Sequence, residues 1–156
     1  MDAERVRAVA EKHRAALDKV VAAKAESDAA AEIAKQRFDK LVGELWNQLD
    51  HELKEFCDHY NGHFETQQLY YDMHADSITL KAPSASASLT LKLSRAFQSL
   101  SVRTSYSNRV DLLLRMQDAS LVFVLNGREV SPEDVAYALA TDVAEKVVSP
   151  AEGEAT

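Results

Sequence analysis

Residues 3–60 contain no proline and one glycine, Gly43, and are rich in alanine, glutamate, lysine, leucine, glutamine and arginine. These residue types lose little freedom in a helix, so the run predicts one long α-helix. At about 1.5 Å per residue it would extend roughly 85 Å. A chain of 156 residues cannot wrap a core around such a rod. Part of the helix is therefore expected to project or to pair with another helix. Glu26-Ser27-Asp28 is the one place that would tolerate a chain reversal, because Ser and Asp can cap, but no Gly or Pro turn chemistry accompanies it.

The predicted helix has two characters. From Phe38 onward, large apolar residues recur at helical spacing: Phe38, Val42, Leu45, Leu49, Leu53 and Phe56, flanked by Leu41 and Trp46. This broad stripe is made to cover a core. Before Phe38 the stripe is thin. Val6, Val9, His13, Ala16, Val20, Ala23, Ser27, Ala30 and Ala34 follow one another in alternating steps of three and four. That is the spacing of a heptad seam, built here from residues of little bulk. The expectation is an oligomer seam carried by Val6, Val9, His13, Ala16, Val20 and Ala23, with a homodimer as its product.

Asn61-Gly62 predicts the stop, since Asn and Gly adopt the left-handed conformation that ends helices. The stretch around it, FCDHYNGHF (56–64), gathers Cys57, Asp58, His59, Tyr60 and His63. His59 and His63 have the spacing of two ligands on one helical face, but a stop at Gly62 would separate them. Cys57 and His59 point apart on a helix, and no CxxC or HExxH spacing supports zinc. The stretch reads as a polar helix end, with Phe56 as the last core residue and Cys57 as a small, partly buried one. No metal and no cofactor are predicted.

From residue 65 the period changes from 3.6 to 2. SITLKA (77–82), SLTLKLS (88–94), SLSVRTSY (99–106) and VDLLLRM (110–116) alternate or nearly so, with turn residues between them. TQQLYYDM (66–73) is a less regular strand. In LVFVLNGREV (121–130), Asn126-Gly127 is the preferred pair for a type I′ hairpin turn. Short links between successive strands imply an antiparallel meander of about five or six strands. SPED (131–134) then opens a second helix, with Ser131 as N-cap, Pro132 in the first turn and acids at the positive helix end. Val135, Leu139, Val143 and Val147 form its buried stripe, and Ser149-Pro150 is expected to end it.

The fold class is therefore α+β, with the end of the long helix and the final helix covering one apolar face of the sheet. The expected organisation is a projecting or oligomerising helical segment (1–37), an α+β head (38–149) and a flexible tail (150–156). Charge is uneven. Residues 1–60 hold 13 acidic and 10 basic side chains, residues 61–130 hold 6 and 7, and residues 131–156 hold 6 and 1. The net charge of −7 argues against general affinity for nucleic acid or an anionic membrane. The single cysteine excludes an internal disulfide. The N-terminus lacks the apolar region of a secretory signal, and no apolar run approaches the roughly 20 residues that cross a bilayer. These features place the protein in the cytoplasm.

Phosphate-binding glycine motifs and the GxSxG motif are absent from the sequence. On the outer sheet face, alternation places Lys81, Lys92, Arg103 and Arg115 on four consecutive strands among Ser and Thr, an arrangement able to take an acidic partner surface. The leading expectation is a non-enzymatic interaction or assembly protein that uses its long helix to oligomerise or dock to a protein partner. The alternative is a small enzyme or ligand-binding domain with a pocket between sheet and helices near Tyr70, Tyr71 and His74.

Overall fold

The breaker-free run forms a single helix, α1 (Ala3–Asn61), uninterrupted at Glu26-Ser27-Asp28. The computed structural model describes the backbone of residues 1–154 and the side chains of residues 1–147. The chain divides into two units, Met1–Lys40 and Leu41–Thr156. In the first unit every residue from 1 to 37 is exposed. In the second, α1 buries Val42, Leu45, Trp46, Leu49, Leu53 and Cys57. The last core residue is thus Cys57, 2% exposed, and not Phe56, which is half-buried. From Leu45 the buried positions step by four, so the face runs on through Cys57 and leaves Phe56 at its margin.

Seven strands follow: β1 (Tyr70–His74), β2 (Ser77–Ala82), β3 (Ala87–Ser94), β4 (Ser99–Thr104), β5 (Val110–Gln117), β6 (Ser120–Leu125) and β7 (Arg128–Val130). They pair antiparallel in sequence order as one sheet. The sheet has one strand more than the expected five or six, and the expected Asn126-Gly127 hairpin supplies its last two, β6 and the short β7. Asn126 (φ 52°) and Gly127 (φ 78°) both take the positive φ that a type I′ turn requires. Register places apolar residues opposite one another on one face, as in Ile78–Leu91–Val102 and Leu93–Leu100–Leu112. The row Leu114–Phe123–Val130 continues that face to the far edge.

The final helix, α2 (Pro132–Glu154), begins as its cap residues dictate, with the Asp134 amide donating to Ser131 Oγ at 3.1 Å. It packs on β2, β3 and the 3₁₀ turn Pro83–Ala85 between them. Its buried side includes Ala136, Ala140 and Ala144 beside Val135 and Val143. Alanine in this stripe lets the helix approach the sheet closely. α2 continues past Ser149-Pro150, where a stop was expected. The expected tail, 150–156, falls where side chains lie outside the described residues.

The end of α1 has a different cause from the one its sequence implies. Neither Asn61 nor Gly62 adopts positive φ. Instead the Asn61 carboxamide grips the chain that leads into β1. Its Oδ1 accepts from the Gln68 and Leu69 amides at 3.0 and 2.9 Å, and its Nδ2 donates to the Leu69 carbonyl at 2.9 Å. Leu69 itself is fully buried. Two substitutions separate these causes. Asn61→Ala leaves two part-buried amides unpaired and is expected to cost about 2 kcal/mol in urea denaturation. Gly62→Ala meets only the Asp58 and His59 carbonyls at 3.4 Å and should change stability by less than about 1 kcal/mol. The reverse ranking would restore the left-handed cap.

Candidate functional site

The FCDHYNGHF stretch opens onto a cleft between the end of α1 and the start of α2. The cleft has a volume of about 520 Å³ and is lined by Glu52, Glu55, Phe56, His59, Tyr60, His63, Glu133, Ala136 and Tyr137. Its aromatic wall is ordered. Phe56 and Tyr60 are near parallel with centroids 6.1 Å apart, Tyr137 stands edge-on to Phe56 at 6.2 Å, and Phe64 tilts against Tyr60 at 5.0 Å. His59 and His63, which a helix stop was expected to separate, line this cleft together. Past the last full turn the chain continues in tight i→i+3 bonds, with His63 N–H on Tyr60 and Phe64 N–H on Asn61. Those bonds hold His63 near the helix end.

The ionisable groups here lie along an exposed row. Glu55 is bracketed by His51 and His59, one helical turn to either side, at 3.4 and 3.5 Å. Ligand atoms of His51, Glu52 and Glu55 converge to within 4.8 Å. The sequence holds the signal for this row, since 51, 55 and 59 are spaced by four. Chemically the row can accept a cation at its surface, and the aromatic wall offers an apolar backing.

Cys57 takes no part in it. The thiol is buried, and burial followed by the charge of Asp58 pushes its pKa from 9.0 to about 12. A thiol held neutral is neither nucleophile nor ready metal ligand.

The proposed pocket residues of β1 do not converge. Tyr71 pairs with buried Leu80 on the core face, and its hydroxyl donates to the Asp50 carboxylate of α1. Tyr70 and His74 lie on the opposite face, across from Lys81 and Ser77. His74 pairs with Asp72 at 3.0 Å. Strand alternation keeps Tyr71 away from the other two.

On the outer face the four cations do not form one row. Lys81 lies opposite Ser88, Lys92 opposite Ser77 and Ser101, Arg103 opposite Thr90, and Arg115 opposite Val122. Turn geometry offsets each strand, so a simple count of strands misplaces them. Lys92 and Arg103 do share one hollow. Together with Arg109 they line a hollow of about 520 Å³ that also holds Phe97, Leu113 and the nearly buried Ser99 and Ser101. Phe97 is 82% and Leu113 56% exposed. Arg109 also pairs with Asp111 at 2.9 Å. Arg115 lines a neighbouring hollow that shares Phe97 and Leu113.

In the first unit the seam residues are all exposed, Val6, Val9 and Val20 at 53–64%. Leu17, Val21 and Ile33 lie exposed near them. Among the described residues no helix is long and apolar enough to cross a membrane. Comparison of the chain with protein-family models, with curated proteins and with solved structures returns no match.

The environment of Cys57 makes two outcomes measurable. The thiol should resist a disulfide reagent at pH 8 until the protein is unfolded. Because its folded pKa lies above its unfolded value, the folded state holds a proton that the unfolded state loses. Stability is therefore full below about pH 9 and declines towards pH 12 by about 1 kcal/mol per unit, a slope that Cys57→Ala should reduce. Protein purified without chelator is expected to carry far less than one zinc per chain. One zinc per chain, lost on Cys57→Ala or His59→Ala, would overturn this account of the stretch.

Proposed function

We propose that this is a non-enzymatic assembly protein. Residues 3–37 of α1 associate with a second copy, and the α+β unit acts as the recognition head. The observation that carries this reading is a helical segment with a three–four apolar seam in which every residue from 1 to 37 is exposed. A helix in water gains most of its stability by burying an apolar face, and this segment buries none within its own chain. The reading includes a reducing, cytoplasmic setting, which the lone buried thiol suits, and no part for nucleic acid or membrane.

The head's contribution is the outer hollow. Lys92 and Arg103 beside exposed Phe97 and Leu113 suit a partner that presents carboxylates next to apolar side chains. The cleft of Glu55 and His59 supports a rival reading, a ligand-binding domain. Its ionisable rim is largely solvated, with the His59 side chain 78% exposed, and a solvated rim holds ligands weakly.

Light scattering of the full chain at tens of micromolar is expected to give twice the monomer mass, and a variant lacking residues 1–36 should remain folded and give a monomer. A full-length monomer at high micromolar concentration defeats the reading, and so does a truncated chain that still dimerises. For the head, Lys92→Glu with Arg103→Glu should abolish salt-sensitive binding of a polyglutamate peptide. Both side chains are exposed, so thermal stability should barely move. Undiminished binding would leave the outer face as an ordinary solvated surface.

A further inference from the structure

We infer that two copies of the exposed segment pair antiparallel, in the register that sets Val20 against the partner's Ala23. This inference rests on the self-association proposed above and adds to it an orientation and a register. Three independent features of the segment select it.

The first is length. With residue 20 opposite 23, residue 3 lies opposite 40. The overlap then covers the whole helical part of the unit Met1–Lys40. A shift of one heptad either way would leave a turn or more of seam uncovered at each end.

The second is volume. Seam bulk sits in the first half, at Val6, Val9, His13 and Val20, and falls to Ala23, Ser27, Ala30 and Ala34 in the second. In the antiparallel register Val9 meets Ala34, His13 meets Ala30, Ala16 meets Ser27 and Val20 meets Ala23. From residue 9 to residue 34 every layer is large on small except Ala16 on Ser27, so one interaxial distance serves that span, and at the end Val6 meets the aliphatic stem of Arg37. A parallel, in-register pair stacks valine on valine at one end and alanine on alanine at the other. No single spacing packs both, since interaxial distance follows the side chains at the contact.

The third is charge. Residues 5–24 carry six cations and two acids, whereas residues 25–34 carry three acids and no cation. Antiparallel pairing lays one block against the other twice. Among residues flanking the seam, Lys19 faces the partner's Glu26, and symmetry repeats the pair. In a parallel pair the same Lys19 faces the partner's Lys24. Flanking charges of this kind set orientation in paired helices, and antiparallel helix dipoles add in the same sense.

The test uses the full chain, in which buried Cys57 is the sole native thiol. Two variants, Val9→Cys and Ala34→Cys, are treated with a short bismaleimide alone and as a mixture. Covalent dimer is expected only in the mixture. Covalent dimer from either variant alone means a parallel pair and overturns the inference while the self-association reading stands. No covalent dimer in any sample, at a concentration where light scattering shows dimer, also overturns the register. A monomer by light scattering overturns both. Charge supplies a second arm of opposite sign for the two orientations. Lys19→Glu should weaken the dimer about five- to tenfold, and Glu26→Lys in the same chain should restore it. Tighter association of Lys19→Glu indicates the parallel pair.

Discussion

The α+β unit depends on one constraint, a seven-stranded sheet that carries most of its buried leucines and isoleucine on one face. Strand alternation makes this unavoidable once Leu, Val and Ile occupy every second position from β2 to β6. A face of that kind is insoluble alone and must be covered. The two helices supply the cover in different ways. α1 brings bulk, with Trp46, Leu49 and Leu53 among its buried side chains. α2 brings closeness, through Ala136, Ala140 and Ala144. The broad stripe of α1 begins at Phe38 and its full burial at Val42. The change in residue size near Phe38 is therefore the point where the demand for cover begins.

The same constraint explains where reading the chain succeeds. Helix 3–61, the strands and the Asn126-Gly127 turn are each written in local patterns, in which period, breaker and turn chemistry agree. What escaped was non-local. Asn61 ends α1 by bonding the backbone eight residues ahead, and no propensity of Asn or Gly encodes that. The rows of Lys81, Lys92, Arg103 and Arg115 depend on the register of the three hairpins that join β2 to β5. His59 and His63 share a cleft because α2 docks there with Glu133 and Tyr137, a contact between segments about 70 residues apart in sequence. The Glu55 row is the instructive exception. Its i, i+4, i+8 spacing is present in the chain, on a face of the helix that buried Cys57 does not share.

A second contrast lies within α1 itself. Residues 41–61 are helical with a buried face, and residues 3–37 are helical with none. Helix formation is costly to start and cheap to extend. The packed end of α1 supplies the start, because its backbone is already fixed by burial against the sheet side of the unit. Extension through the alanine-rich part then needs only the small favourable increment that Ala, Glu, Lys and Arg provide residue by residue. The i,i+4 pair Arg7–Glu11 at 3.1 Å adds a few tenths of a kcal/mol near the free end. The exposed seam is in this way held in helical form before anything covers it.

That pre-formed helix changes what a weak seam can achieve. A disordered segment that folds on binding must offset the full ordering entropy of its backbone at about 1–2 kcal/mol per residue, which valines and alanines of this size cannot do. A segment already helical loses only side-chain freedom and rigid-body motion. Alanine, the commonest seam residue in positions 16–34, has no side-chain entropy to lose. Little bulk is then a consistent choice: each layer contributes little but also costs little to order. The proposed pair should accordingly be weaker than a leucine-rich zipper and, on dilution, dissociate at higher protein concentration. An association of that strength responds to how much protein is present, which fits an assembly element better than a structural strut.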